Sequence, residues 1–189
     1  MASTRDRMID AAAGLFRDRG FDGTGFREVV DAAGTTPGVI YHHFPGGKSE
    51  LGVAVASAIG NRIAARVEGM CAEHSPRDAI EGLLRIVEQN MVKGDLRPGC
   101  PIVAIALAAD DPHGVLRSAS DSFFARTRTA LEGCLLRDGV QGRQARSFAA
   151  LAVAACEGAV VMCRAQRGGE PLRITREALL DQLDRLPRD

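Results

Sequence analysis

Ala33-Gly34-Thr35-Thr36-Pro37-Gly38-Val39-Ile40-Tyr41-His42-His43-Phe44-Pro45-Gly46-Gly47-Lys48 is the stretch on which the fold turns. Gly34 stops one helical pattern, because glycine accepts the left-handed backbone that closes a helix. Thr36 is a good N-cap. Pro37 falls at the first helical position, where its missing N–H removes nothing. The helix opened there ends near Phe44, since Pro45-Gly46-Gly47 breaks it. So short a helix is not stable alone, and Ile40 and Phe44 are expected to anchor it in a core.

Upstream, Ser3 followed by Asp6 gives a capping signal. Met8, Ile9, Ala12, Leu15 and Phe16 recur at helical spacing, and Gly20 closes that helix. Thr24 is expected to open the next helix, with Phe26, Val29, Val30 and Ala33 as its buried stripe. Downstream the pattern changes to long helices, over about 49–71, 77–93, 113–137, 142–166 and 175–186, with a short apolar one at 102–109. Ser75-Pro76, the loop from Leu96 to Pro101, and Asp110-Asp111-Pro112 separate them. No repeat, low-complexity run or convincing alternating strand is present, so the expected fold class is all-α.

Composition agrees. Of 189 residues, 46% are apolar and 25% charged, which excludes disordered, collagenous and fibrous chains. Only 4% are aromatic, so Ala, Leu, Val and Ile must supply the core. The longest apolar runs, such as Phe148 to Cys156, fall short of the ~20 residues that span a bilayer. The N-terminus lacks a basic start and an apolar stretch. No membrane partner is expected, and a cytoplasmic location is. Five cysteines, an odd number with no C-x-x-C pair, fit reduced thiols.

Net charge is zero. Residues 1–50 hold six Lys and Arg against seven acids. Nucleic-acid binders usually show a basic bias, so any such reading must rest on local arrangement.

Two helices joined across Gly34-Thr35 make a helix-turn-helix pattern. A plain αα-corner has the same spacing. The face of the short helix weighs toward the first. Thr35, Thr36, Pro37, Gly38, Val39, Tyr41, His42 and His43 are small or hydrogen-bonding where a solvated face would carry Glu and Lys. Gly38 and Val39 permit close backbone approach, and Tyr41 and His42 can donate to phosphates or base edges. The positive end of the helix dipole suits phosphate without any arginine.

Phe16, Gly20-Phe21, Thr24, Val29, Ala33-Gly34, Gly38, Tyr41-His42-His43-Phe44, Lys48 and Leu51 together resemble the N-terminal DNA-binding domain of TetR-type transcriptional regulators. The resemblance covers about residues 5–52. Gly25 stands where that family often has Thr or Ser, and Gly46-Gly47 lengthens the following loop. That loop and Gly99-Cys100-Pro101 resemble the LmrA-like branch.

The resemblance implies a helix-turn-helix DNA-binding domain over 1–48 and a helical effector-binding and dimerisation domain over 49–189. It implies a ligand-responsive repressor that binds a palindromic operator in double-stranded DNA as a homodimer. A small, mostly hydrophobic effector would release it. Thr24 and Arg27 would hold phosphates, Thr35, Thr36, Pro37, Gly38, Val39, Tyr41, His42 and His43 would face the DNA, and Lys48 would clasp the backbone. Tyr41 could instead pack, and Lys48 could be a solvated surface lysine.

The helix at 142–166 is rich in small residues, which allows close helix approach. The resemblance implies that the last two long helices form the dimer, with Ala152, Ala155 and Ala159 and with Leu179 and Leu183 of the last helix as the expected interface; the alternative is that both helices bury inward. Met91, Cys100, Ile102, Ile105, Phe123, Phe124 and Met162, with Glu157 inside an apolar helix, are the expected effector pocket, each with plain core as its alternative.

No metal or other cofactor is expected. His42 and His43 are adjacent on a helix and point about 100° apart. His74 and His113 lack partners at ligand spacing. Cys156 and Cys163, seven apart on one helical face, suit thiol sensing or, more simply, a buried core. Two rival functions stand beside the regulator. One is a cysteine-dependent enzyme using Cys100 or Cys156, for which no activating His–carboxylate pair is recognisable. The other is a helical scaffold that binds protein.

Overall fold

The computed structural model describes residues 3–93 and 99–188. Among them lie nine helices: α1 (Thr4–Arg19), α2 (Phe26–Ala32), α3 (Pro37–His43), α4 (Gly47–Glu73), α5 (Pro76–Lys93), α6 (Pro101–Ala106), α7 (Val115–Arg137), α8 (Gly142–Gln166) and α9 (Glu170–Asp184). The described residues contain no strand, only one isolated bridge between Val140 and Arg188. The all-α expectation holds. Leu96, Arg97 and Pro98 of the expected loop lie outside the described residues.

Local chemistry explains most helix ends. The Ser3 hydroxyl accepts from the Asp6 amide at 3.1 Å, and the Ser3 amide donates to the Asp6 carboxylate at 3.1 Å, closing a capping box. Gly20 takes φ +82° and Gly34 φ +61°, the left-handed backbone anticipated at both stops. Thr24 does not open α2. Gly25 is the N-cap, and its amide donates to Glu28 at 2.7 Å. α6 ends at Ala106 rather than 109. α7 starts at Val115 because Asp111 caps it, accepting from the Leu116 and Arg117 amides at 3.3 and 3.0 Å. α9 starts at Glu170 rather than Thr175, with Pro171 tolerated in its first turn.

The chain forms two compact units. One comprises the residues up to Arg62 together with Cys100–Phe123, and the other the remaining residues. Residue 48 therefore ends the helix-turn-helix segment rather than a compact unit, and α4 and α7 each contribute to both units.

In the first unit Met8, Phe16, Ile40, Phe44, Leu51, Ile102, Ile105 and Leu116 are fully buried. α6 packs on α1. The Phe16 and Phe21 rings meet at 5.0 Å. Burial of each such side chain contributes roughly 1.5–3 kcal/mol, and this holds the seven-residue α3 in place.

In the second unit α8 and α9 pack together over a core that includes Leu84, Leu131 and Phe148. Ala152, Ala159, Leu179 and Leu183 belong to this core at 0–3% exposure, and Ala155 packs against it. These five residues do not form an outward dimer face, because their small and apolar side chains seal α8 against its own chain. The opposite faces are also apolar: Leu151, Val161, Met162 and Ile174 are 40–61% exposed. α8 is thus apolar nearly all round, and by length and composition it could cross a membrane, contrary to the sequence reading of short apolar runs. One such helix is weak evidence, since a soluble core helix meets the same criterion.

Candidate nucleic-acid interface

Three elements of the first unit bring the candidate residues together. The turn after α2 is tight, with the Gly34 amide on Asp31 O and the Thr35 amide on Val30 O, both at 3.1 Å. Thr36 caps α3 in extended conformation, without a bond from its hydroxyl to the helix. Pro37 sits in the first turn, as anticipated. Ile40 and Phe44, both fully buried, fix the roll of α3 about its axis.

That roll turns the remaining side chains outward. Thr36, Pro37, Gly38, Tyr41 and His42 are exposed, while Thr35, Val39 and His43 are half-buried at the flanks. Tyr41 is 59% exposed, and its ring leans edge-on against Phe26 at 5.2 Å. The ring is thus oriented by α2 while its hydroxyl end stays in solvent. Gly38 has no positive φ, and a Cβ added there would meet nothing within 4 Å. Nothing among the described residues requires glycine at this position. The His42 and His43 rings contact each other at 5.3 Å, and no cluster of three or more metal-type ligands occurs among the described residues.

The cations are arranged differently from expectation in part. Arg27 is exposed on α2, and Lys48 is half-buried in the first turn of α4. The Lys48 ammonium donates to the Asp22 carbonyl at 3.4 Å and lies 4.6 Å from the centre of the Phe21 ring. Burial lowers its pKa, while the Asp22 and Glu28 carboxylates oppose that shift. Arg19 is paired with Glu28, whose carboxyl is held below its ordinary value chiefly by the Gly25 amide.

Thr24 is a correction. It is 2% exposed, and its hydroxyl donates to the Gly20 carbonyl at 2.8 Å. It ties the α1–α2 turn together and does not reach the outer face. Sequence reasoning in turn missed Arg5. Its guanidinium lies 5.0 Å from the centre of the Phe44 ring, at the end of α3. The available signal was a cation one position past the start of a well-capped helix.

The expected effector residues are divided between the two units. Met91 lies in the core of the second unit, and Met162 is 52% exposed on α8. Ile102 and Ile105 are fully buried in the first unit, where Cys100 caps α6. Phe124 and Glu157 are half-buried in the second. Of the eight, Phe123 alone lines the cleft of about 570 Å³ found in the first unit between α4 and the start of α7. Met91, Ile102 and Ile105 are core, whereas the cleft is lined largely by small and polar residues.

Two thiols are held protonated by their surroundings. Burial, with the Glu157 charge adding to it, pushes the Cys156 thiol up to about 12, and burial raises Cys71 to about 12. Thiols so protonated are poor nucleophiles. Cys156 and Cys163 are both core residues.

A short helix seated by two buried anchors, with a small and polar outer face behind a glycine turn, defines a helix-turn-helix DNA-binding protein. The comparisons with known proteins give the family. The description "Bacterial regulatory proteins, tetR family" matches residues 8–55, and "Transcriptional regulator LmrA/YxaF-like, C-terminal domain" matches residues 76–178. The chain belongs to the TetR family of bacterial transcriptional regulators, with an LmrA/YxaF-like C-terminal domain; it is a DNA-binding regulator and not an enzyme.

An uncharacterised HTH-type transcriptional regulator of Mycobacterium tuberculosis is 29% identical over 97% of this chain and 95% of its own length. The crystal structure of a TetR transcriptional regulator from Legionella pneumophila covers 96% of this chain and 97% of its own at 22% identity, with a TM-score of 0.86. A cysteine mutant of the TetR family regulator CifR, complexed with 26-bp double-strand operator DNA, covers 94% and 95% at 20% identity, with a TM-score of 0.76. At these identities the two structures speak for the fold alone.

Proposed function

We propose that the chain is a homodimeric transcriptional repressor released by a small-molecule effector. Residues 1–48 read a palindromic operator, and residues 49–189 bind the effector and the second subunit. The observation that carries this reading is the outer face of α3, where Gly38 leaves space that the fold does not need and Tyr41 is aimed outward. Each α3 enters a major groove with Thr35, Thr36, Gly38, Val39, Tyr41 and His42 toward the bases and backbone, and Pro37 and His43 at its flanks. Arg27, Lys48 and Arg5 hold phosphates around it. The small number of cations predicts a shallow salt dependence.

The second subunit packs on the outward faces of α8 and α9, where Leu151, Val161, Met162 and Ile174 expose apolar surface on neighbouring helices. The effector favours one of two dimer conformations and so weakens operator binding in proportion to its preference. A regulator of this kind works in the cytoplasm.

The test is a gel shift with the DNA upstream of the gene. A specific shift that is lost in Tyr41→Ala, with the melting temperature retained, supports the reading. The absence of any sequence-specific shift in the wild-type dimer overturns it.

A further inference from the structure

The cleft of the first unit lies between α4 on one side and the segment from His113 into α7 on the other. Its volume of about 570 Å³ is within the range of small-molecule sites. Its floor is apolar, made by the buried Ala56, Gly60 and Phe123. A Cβ on Gly60 would come within 3.1 Å of the Phe123 Cβ, so the glycine lets the two helices approach at the floor.

The walls are different. Ser57 and Asn61 lie one turn apart on α4, and Ser118 and Ser122 lie one turn apart on α7. Residues four apart on a helix stack on one face, so each pair forms two rungs of one wall. Among the described residues no Asp, Glu, Lys or Arg lines the cleft, and His113 is the one titratable side chain among those that do. A charged ligand entering here would lose water without gaining a counter-ion. An uncharged ligand would exchange its water for hydroxyl and amide groups that both donate and accept.

We propose that this cleft binds an uncharged small molecule with an apolar body and hydrogen-bonding groups at its edges. This molecule is the effector, an assignment that rests on the repressor reading above. It narrows the mostly hydrophobic ligand expected from the sequence. The cleft is also placed to act on the DNA-reading helices of its own unit. His113 and Gly114 follow directly on Ala109–Pro112, and the Ala109 amide donates to the Asp22 carboxylate at 3.0 Å. Asp22 lies in the turn before α2 and holds Lys48 through its carbonyl. A ligand that displaces the 109–114 segment therefore pulls on the turn that seats a phosphate-binding cation.

The experiment titrates the full-length protein with two fluorescent probes, uncharged Nile red and the anion 8-anilinonaphthalene-1-sulfonate. Ala119→Leu fills the cleft from α7, where Ala119 is a lining residue. Ser118→Ala with Ser122→Ala removes two exposed hydroxyls without threatening the fold. Nile red should bind the wild type saturably. Its site should vanish in Ala119→Leu and weaken about tenfold in the double variant, taking a typical hydrogen-bond contribution for each hydroxyl. Nile red binding unchanged in both variants overturns the proposal, as does an anion bound more tightly than Nile red and lost in Ala119→Leu.

A second arm adds Nile red to the operator complex. Release from the wild type but not from Ala119→Leu supports both the cleft and its regulatory role. Cleft binding with no release supports the ligand site and counts against the effector half of the repressor reading.

Discussion

The Lys48 ammonium rests 4.6 Å from the centre of the Phe21 ring, so the first cation of α4 is held by the aromatic residue that follows the close of α1. This contact fixes Lys48 against the α1–α2 turn instead of leaving it on a free stem. Lys48→Ala is expected to weaken operator binding by roughly 1–2 kcal/mol per subunit. It should also lower the slope of log K against log salt by about 0.9 per subunit. Phe21→Leu keeps the charge, so its salt slope should stay at the wild-type value while affinity falls by about 0.5–1 kcal/mol per subunit through the lost cation–π contact. Fluorescence anisotropy across a salt series measures both; an unchanged slope in Lys48→Ala removes Lys48 from the phosphate contacts.

Arg5 gives a parallel case at the carboxyl end of α3, where Phe44 supports its guanidinium. Arg5→Ala should reduce the salt slope by about 0.9 per subunit without altering the preference among operator sequences, because phosphate contacts carry no base information. A shifted sequence preference, read by selection from a randomised operator pool, would place Arg5 at a base edge instead.

The proposed dimer face differs from the one the sequence pattern suggests, and two substitutions separate the choices. Val161→Glu puts a charge on a side chain that is 61% exposed, so the monomer should keep its fold and the dimer should dissociate. Ala152→Glu buries a carboxylate at a fully buried position and should unfold the second unit, with a loss of several kcal/mol. Light scattering and circular dichroism on the two proteins decide it; a dimeric Val161→Glu would move the interface elsewhere.

Asp111 sets an acid limit. Its side chain is buried, which alone would raise its pKa. The Arg117 and Leu116 amides and the Arg117 guanidinium outweigh that and hold it below 3.8. A carboxyl lowered in the folded state stabilises the fold above its unfolded value, and that stability is lost as pH falls through the folded value. The wild type should therefore lose stability more steeply below about pH 4 than Asp111→Asn does. Asp111→Asn should be the less stable of the two at pH 7. Urea midpoints at pH 7, 5 and 3 test the crossing slopes.

The helix-turn-helix was legible because its signals are local. Gly20, Gly34 and Pro37 mark backbone geometry that few other residues permit, and all three sit where the pattern demands. The boundaries of α8 were also legible in full. Thr24 was misread because a threonine before a helix looks like a cap or a phosphate ligand, and only the fold reveals that its hydroxyl turns back to Gly20. The residues expected at a dimer face instead pack into their own chain's core, and because α8 is apolar on both faces, periodicity could not say which face looks inward. The cleft escaped because small polar residues such as Ser57, Ser118 and Ser122 resemble any solvated helix surface until two helices bring them opposite each other.

α6 packs on α1, and Ala109 is bonded to Asp22. The body that holds the reading helices is consequently assembled from two stretches of chain separated by the whole of α5. Grafting the amino-terminal fifty residues onto a relative would transplant half a scaffold and strip α1 of the α6 that packs on it. A working chimera has to exchange 100–123 along with them, and sequence drift in one stretch constrains what the other can tolerate.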